Sequence, residues 1–448
     1  NIISTIQKEQ NAIIRNTKDK ILVIQGAAGS GKTSVALHRI AYLLYHDRKN
    51  LKSSNILVLS PNSVFSDYIS HILPELGEEN IQEMSFDVFA YRQLCDTVND
   101  CEERGDQIER NLKFSDEQAR FLEKQSEKFS AKLRAFALQL EDDLMDFSGF
   151  QYKKMEKSEK EIADMFYCRF PDLPLLARME AVMEYFVDEH ETLTGREFDD
   201  ESRQCIREKF MRMYRTQDLY VLYSEFLENN GYEPLEGVPK EKRKLKYEDV
   251  YPMLYLKYLL LPQKENRNIR HLVIDEMQDY SFIQYAILSR MFSCRMTILG
   301  DKAQTMESQR RDVMRFLPGI FGKNIRSLSL KKSYRNTVEI AEYADRIAGG
   351  TDVELFERHG KPVTEKQFLS EEAALEEVLD RLNLSEYETA AVLTMTEDRA
   401  DFAAGYLKRR LEETGFDTGK RFACIDRNST RFCKGLTVTT FYHAKGLE

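Results

Sequence analysis

The chain has 448 residues, 42% hydrophobic and 31% charged, with seven cysteines and a formal net charge of −10. That length and apolar share allow two or three separate cores, and no run of about 18 apolar residues occurs, which excludes a membrane-spanning helix. NIISTIQKEQ at the start carries no basic stretch followed by an apolar run, so no secretory signal is read there. It also lacks an initiator Met, as the N-terminus of a fragment would.

The first hundred residues alternate between short apolar runs and helical spacing. ILVIQ (21–25) is a buried-strand run followed by a Gly-rich turn, and SVALHRIAYLLYH (34–46) has apolar residues at 37, 40, 41 and 44. NILVLSPN (55–62) is a second strand run ending in a turn. Strand, helix, strand at this rhythm predicts a parallel α/β sheet. From about residue 96 the rhythm changes. Ser115 to Gln118 reads as a capping box opening a helix with apolar residues at 122, 129, 133, 136, 140 and 144. A Pro-x-x-Pro start at 171 opens another, PDLPLLARMEAVMEYF, and the turn-rich, basic NNGYEPLEGVPKEKRK (229–244) leads out.

Residues 96–246 hold 35 Asp and Glu against 25 Lys and Arg, so the whole net charge sits in this block and the rest of the chain sums to zero. The α/β rhythm then resumes with HLVIDE (271–276), MTILGD (296–301) and IRSLSL (325–330). After FLSEEAALEEVLDRL come AAVLTM and a final strand LTVTTF. The seven cysteines are scattered, odd in number and without C-x-x-C or Cys/His zinc spacing, and read as reduced thiols of a cytoplasmic protein.

Two motifs carry chemistry by themselves. GAAGSGKT (26–33) fits G-x-x-x-x-G-K-[ST] with a strand before it and a helix after it. Gly26, Gly29 and Gly31 let backbone N–H groups, including that of Ser30, wrap phosphates at a helix N-terminus. Lys32 reaches the β- and γ-phosphates, and Thr33 can hold Mg²⁺. DEMQD (275–279) ends the apolar strand HLVI, so Asp275 would complete the Mg²⁺ shell. Glu276 is placed to polarise an attacking water.

GAAGSGKT, DEMQD, GDKAQ (300–304), SYRN (333–336) and HAKGLE (443–448) stand in the order seen in UvrD/Rep-type superfamily 1 helicases, which the chain resembles at both ends. TIQKEQNAIIRN, TSVALHRIAYLLY, FSDYISHILPELGEEN and DEMQDYSFIQ look like segments of HelD, the ATPase of this group that acts on bacterial RNA polymerase. The resemblance implies a P-loop NTPase with two RecA-like parallel-sheet lobes, using ATP and Mg²⁺, as a monomeric motor in the bacterial cytoplasm. It implies that Gln10, or else Gln7, recognises adenine, with Arg39 near the base and Tyr334 stacked on it. Arg335 would reach the γ-phosphate, Gln304 would sense it and Glu448 would bind the ribose. Ser60 and His443 would belong to the nucleic-acid face.

The sequence departs from the family pattern in two places. GDKAQTMESQRRD has Met306 and Glu307 where an aromatic would stack on a base, and the chain has no Trp; stacking is worth about 1–3 kcal/mol per base. The insertion occupies the position of a DNA-contacting subdomain yet is acidic, whereas phosphate neutralisation needs Lys and Arg. Three readings of it stay open: a solvated helical decoration, an arm docking on a basic protein surface such as the DNA channel of RNA polymerase, and a DNA contact.

The expected domains are a first RecA-like lobe in two parts (1–95 and 247–325), a mostly helical acidic insertion (96–246), and an incomplete second lobe (326–448). Three functions compete: a HelD-like ATPase remodelling RNA polymerase, a single-stranded DNA translocase or helicase, and a nucleotide-binding module without turnover. The likeness also implies that the rest of the second lobe and an N-terminal coiled coil are missing, so that this fragment binds nucleotide poorly and hydrolyses it slowly.

Overall fold

The computed structural model describes residues 8–27, 29–61, 81–262, 266–301, 304–305, 313–330, 332–348, 354–355, 357–382, 387–426 and 434–445. Its centre is a six-stranded sheet of β1 (Ile21–Gly26), β2 (Ile56–Leu59), β3 (Gln82–Met84), β4 (His271–Ile274), β5 (Arg295–Gly300) and β6 (Ile325–Leu330). They lie in the order β6-β1-β5-β4-β2-β3, and every neighbouring pair is parallel. The inner parallel strands are covered on both faces, which is why the runs of β1, β2, β4 and β5 are largely apolar rather than alternating. Leu22, Ile24, Val58, Val273 and Leu299 pack to one side against α1 (Lys8–Ile14) and α2 (Lys32–His46). Val23, Leu57, Leu59, Leu272, Ile274 and Ile298 pack to the other.

That second face continues without interruption into the core of the helical insertion. The insertion holds α3 (Arg104–Lys113), α4 (Ser115–Lys124), α5 (Glu127–Asp143), α6 (Leu175–Thr194), α7 (Asp200–Met211) and α8 (Leu219–Asn229). All of them but α7, which packs on α6, gather on α9 (Tyr247–Leu260), whose residues are buried around nearly its whole circumference. A two-stranded parallel ladder, Asp100 beside Lys244 and Cys101 beside Leu245, closes the neck. The apolar steps from 122 to 144 belong to two helices rather than one. Ser126 accepts a hydrogen bond from the Phe129 N–H and opens α5, while α4 begins at Ser115 without a side-chain cap. Gln125, in the break, donates to the Glu248 carbonyl and accepts from Ser281 Oγ. The acidity is largely on the surface, but one ion cluster is buried beneath it. Lys124 Nζ lies 2.8 Å from both Glu248 and Asp249, and Tyr223 O–H donates to Asp249 at 2.6 Å.

A three-stranded parallel sheet follows: β7 (Thr389–Thr394), β8 (Phe422–Ile425) and β9 (Gly435–Thr440), in the order β7-β9-β8, with α10 (Glu397–Glu413) packed on it. The boundary between the two α/β units differs from expectation. IRSLSL, expected to open the second lobe, is β6 of the first sheet, registered with β1 from Ile21 beside Ile325 to Gly26 beside Leu330. Its mostly half-buried or exposed residues suit an edge strand. Residue rhythm identifies a strand but not the sheet that it joins.

Candidate nucleotide-binding site

The P-loop leaves the C-terminal end of β1 and enters α2 at Lys32. Gly29 and Gly31 have φ of 73° and 81°, a left-handed geometry that costs glycine nothing. Gly26 is required by proximity instead, because a Cβ there would come within 2.4 Å of Ser30 Oγ. The Ser30 hydroxyl is buried and has no hydrogen-bond partner among the described residues. Lys32 Nζ donates to the carbonyls of Gly26 and Ala27 at 2.8 and 3.0 Å, lying back on its own loop. Burial pushes its pKa down, against the pull of Asp301, Glu276 and Asp275. A hydroxyl without a partner among the described residues, left-handed loop backbone at a helix N-terminus and a lysine bonded to its own loop carbonyls are the features that an incoming phosphate chain satisfies.

Two strands away across the sheet, β4 delivers the acidic pair. Asp275 N–H donates to the Leu59 carbonyl, and Asp275 Oδ1 accepts from the Glu276 N–H at 2.9 Å. Burial and the neighbouring Glu276 push the Asp275 carboxyl up to about 7. A divalent cation there would hold it ionised. Among the described residues no cluster of three His, Cys, Asp or Glu side chains could hold a metal alone. This donor set fits Mg²⁺, which is usually bound by one or two protein groups together with substrate phosphates and water.

Glu276 has φ 54° and ψ 47°, an uncommon conformation for a side-chain-bearing residue. The kink turns Met277–Asp279 into a tight helical turn against Gly300, where a Cβ would meet Met277 Cγ at 2.3 Å. Gln278, buried by that turn, was given no role in the sequence reading although the motif contains it. Its Nε2 donates to Glu276 Oε2 at 2.5 Å, and its Oε1 accepts from the Asp301 N–H at 3.0 Å. It thus ties the Glu276 carboxylate to the segment carrying Gln304. Gln304 lies at the end of that segment, its carbonyl accepting from Lys445 Nζ at 2.8 Å. Lys445 also pairs with Asp279 at 2.5 Å and lies 3.8 Å from Glu276. HAKGLE contains this lysine, but only the fold brings it to the acidic pair.

The SYRN segment lies directly on the P-loop. Tyr334 N–H donates to the Gly29 carbonyl at 2.9 Å, and a Cβ on Gly29 would strike Arg335 Cβ at 2.3 Å. Burial lowers the Arg335 pKa, and Glu276 opposes that shift. On the far side of the loop, Gln10 Nε2 is 3.8 Å from the position a Gly31 Cβ would take.

Arg39 is 2% exposed, with Nε donating to Thr297 Oγ1 and Nη1 to the carbonyls of Ile13 and Asn16, so it joins the end of α1 to β5. Its place nearly two helical turns past the P-loop says nothing of which side of α2 it occupies. Thr33 sits in the first turn of α2. Ser60 is buried at the end of β2, donating its N–H to the Met84 carbonyl. His443 is in the short helix Phe441–Ala444 after β9, its ring against Tyr442. Gln7, Met306, Glu307 and Glu448 lie outside the described residues.

A parallel sheet with a P-loop after one strand, an acidic pair after another and an arginine laid across the loop define a RecA-like P-loop nucleotide-binding fold. The UvrD/REP helicase N-terminal domain matches residues 6–310, more than half of the chain, and the chain belongs to that family. It is 37% identical over 79 residues to the ATP-dependent DNA helicase PcrA of Staphylococcus epidermidis, covering 17% of this chain and 10% of that protein. It is 29% identical over 143 residues to the ATP-dependent DNA helicase srs2 of Schizosaccharomyces pombe, covering 30% and 14% respectively. The matched stretches are thus a small part of either relative.

Proposed function

We propose that the chain is the ATP-hydrolysing core of a superfamily 1 motor that moves on single-stranded DNA. The observation that carries this reading is the convergence of Lys32, Asp275, Glu276 and Arg335 around one loop, in a chain of the UvrD/Rep family. Ser30, Lys32 and the loop N–H groups would bind the β- and γ-phosphates of ATP, with Lys32 leaving its two carbonyls for phosphate oxygens. Thr33 and Asp275 would hold Mg²⁺, which supplies charge neutralisation on those oxygens. Glu276, aimed by Gln278, would orient and deprotonate the attacking water. Arg335 would offset charge developing on the γ-phosphate, a role worth about 10³–10⁵ in rate in comparable enzymes. Gln10 would read the adenine edge and Tyr334 would stack on its face, and Ser60 and His443 would meet the strand of nucleic acid.

A HelD-like action on RNA polymerase is a second reading. The feature favouring it is the insertion, an ordered helical body carrying the chain's net charge of −10 where a DNA-gripping subdomain would be basic. One assay separates the two: steady-state ATP turnover of the chain alone, with an oligo-dT strand, and with RNA polymerase. The DNA-motor reading expects stimulation by the strand. Stimulation by polymerase together with indifference to DNA would replace it with the HelD-like one.

A further inference from the structure

The P-loop and the acidic pair use the C-terminal edge of the central sheet. At the opposite edge lies a cleft of about 990 Å³ that none of this chemistry uses. Lys18, Lys20, Arg267, Arg270 and Arg295 line it, all exposed, with His46 at the rim. Three of these cations sit in a row set by strand pairing. Lys20 immediately precedes β1, Arg295 opens β5 and Arg270 immediately precedes β4, and these are adjacent strands. Backbone bonds fix the row: Met296 N–H donates to the Lys20 carbonyl and Arg295 N–H to the Arg270 carbonyl. Neighbouring strands are about 4.8 Å apart, so the charges are held close together by the ladder.

Two of the guanidinium groups are oriented as well. Arg270 Nη1 donates to the Asn50 carbonyl at 2.5 Å, and Arg295 Nη1 to that of Thr17 at 2.8 Å. Asp47 is the acidic residue of the lining, and its carboxylate accepts from Asn50 Nδ2. The resulting positive field reaches into the protein. His271, buried beneath the cleft, is held down to about 3 by burial, Arg39 and Arg295. In a chain of net charge −10, a concave surface with five cations and one acid is a strongly segregated feature.

We propose that this rear cleft binds the phosphodiester backbone of nucleic acid, as a contact separate from the strand path between the two lobes. The proposal rests on the DNA-motor reading. The chemistry selects a backbone rather than a compact phosphate ligand, because all five cations are at the surface and small-ligand sites enclose most of their ligand. Among the described residues no Phe or Tyr lines the cleft, so recognition is chiefly of charge without sequence. Such a contact would hold the strand or duplex against the first lobe while the nucleotide site cycles at the other edge.

Fluorescence anisotropy of labelled oligo-dT and of a labelled duplex, titrated with the chain between about 50 and 200 mM salt, tests the proposal. Lys18→Glu/Lys20→Glu removes two cations on exposed side chains, and Lys18→Gln/Lys20→Gln repeats the test without adding negative charge. Both should weaken binding about tenfold or more at the low-salt end and lower the slope of log K against log salt by about 1.4 to 1.8, for two contacts. ATP binding should be unchanged in both. The nucleic-acid form that shows the loss identifies which backbone the cleft takes. Wild-type affinity and salt slope in both variants, with DNA otherwise bound, would overturn the cleft alone. No binding of either nucleic acid by the wild type near 50 mM salt would overturn the cleft and the DNA-motor reading together.

Discussion

At the scale of single residues, the site is organised by strain and burial as much as by charge. Glu276 is held in a left-handed conformation and gripped by Gln278, so Gln278→Ala should leave ATP affinity within a few-fold of wild type. It should lower turnover about 10- to 100-fold, as loss of a supporting hydrogen bond does elsewhere. Separate measurement of kcat and KM checks the split, and equal losses in both would contradict it.

Asp275 makes a pH-dependent prediction. Its folded-state carboxyl is raised to about 7 from 3.8, so between these values the native state keeps a proton that the unfolded chain has lost. Stability therefore falls as pH rises from about 4 to 7. Asp275→Asn has no such proton. Without nucleotide, its melting temperature should equal or exceed that of wild type at pH 8, and the advantage should shrink by pH 5. Hydrolysis should be lost at both. His271, pushed down to about 3 mainly by burial, works in the opposite sense: the unfolded chain gains a proton below about 6.5 that the folded one refuses, so stability falls as pH drops through that value.

At the scale of elements, the insertion is built into the first lobe rather than appended to it. Lys124→Met would strand Glu248 and Asp249 in the core, and chemical denaturation should show a loss of about 3–5 kcal/mol. Helix α3 makes a different connection. Arg104 lies 3.6 Å from Asp279, while Glu109 accepts from Tyr442 O–H at 2.7 Å and from the Glu397 N–H at 2.6 Å. The insertion's first helix thus touches both the acidic motif and the second α/β unit. In Glu109→Ala, hydrogen exchange around residues 397–400 and 440–445 should quicken about tenfold or more, with the insertion core unchanged. Unaltered exchange in both segments would show that α3 carries no coupling.

These connections mark where the sequence stopped being legible. The P-loop, the acidic pair and the parallel strands were readable because each is contiguous and depends on local spacing. Lys445 beside Asp279, Arg39 turned into the α1–β5 seam, and IRSLSL joined to β1 were not, because each is decided by which distant segment lies alongside. The break at Gln125 was equally hidden, since the partner that holds it, Glu248, is over a hundred residues away.

At the scale of the whole molecule, the central sheet separates two chemistries. Its C-terminal edge gathers the P-loop, the acidic pair and Arg335, while the opposite edge carries a row of cations. Among the described residues, no helix is long and apolar enough to cross a membrane. The second α/β unit reaches the acidic motif through Lys445 and the insertion through Tyr442, while the SYRN segment bonds the P-loop, so a change at the γ-phosphate has short, bonded routes to both units. The central claim is that Lys32 and its loop bind and hydrolyse ATP. Its most direct test is steady-state hydrolysis by wild type and Lys32→Ala, each with and without oligo-dT. Wild type should turn ATP over with stimulation by the strand, and Lys32→Ala should show background rates under both conditions. Equal turnover in the two proteins would contradict it.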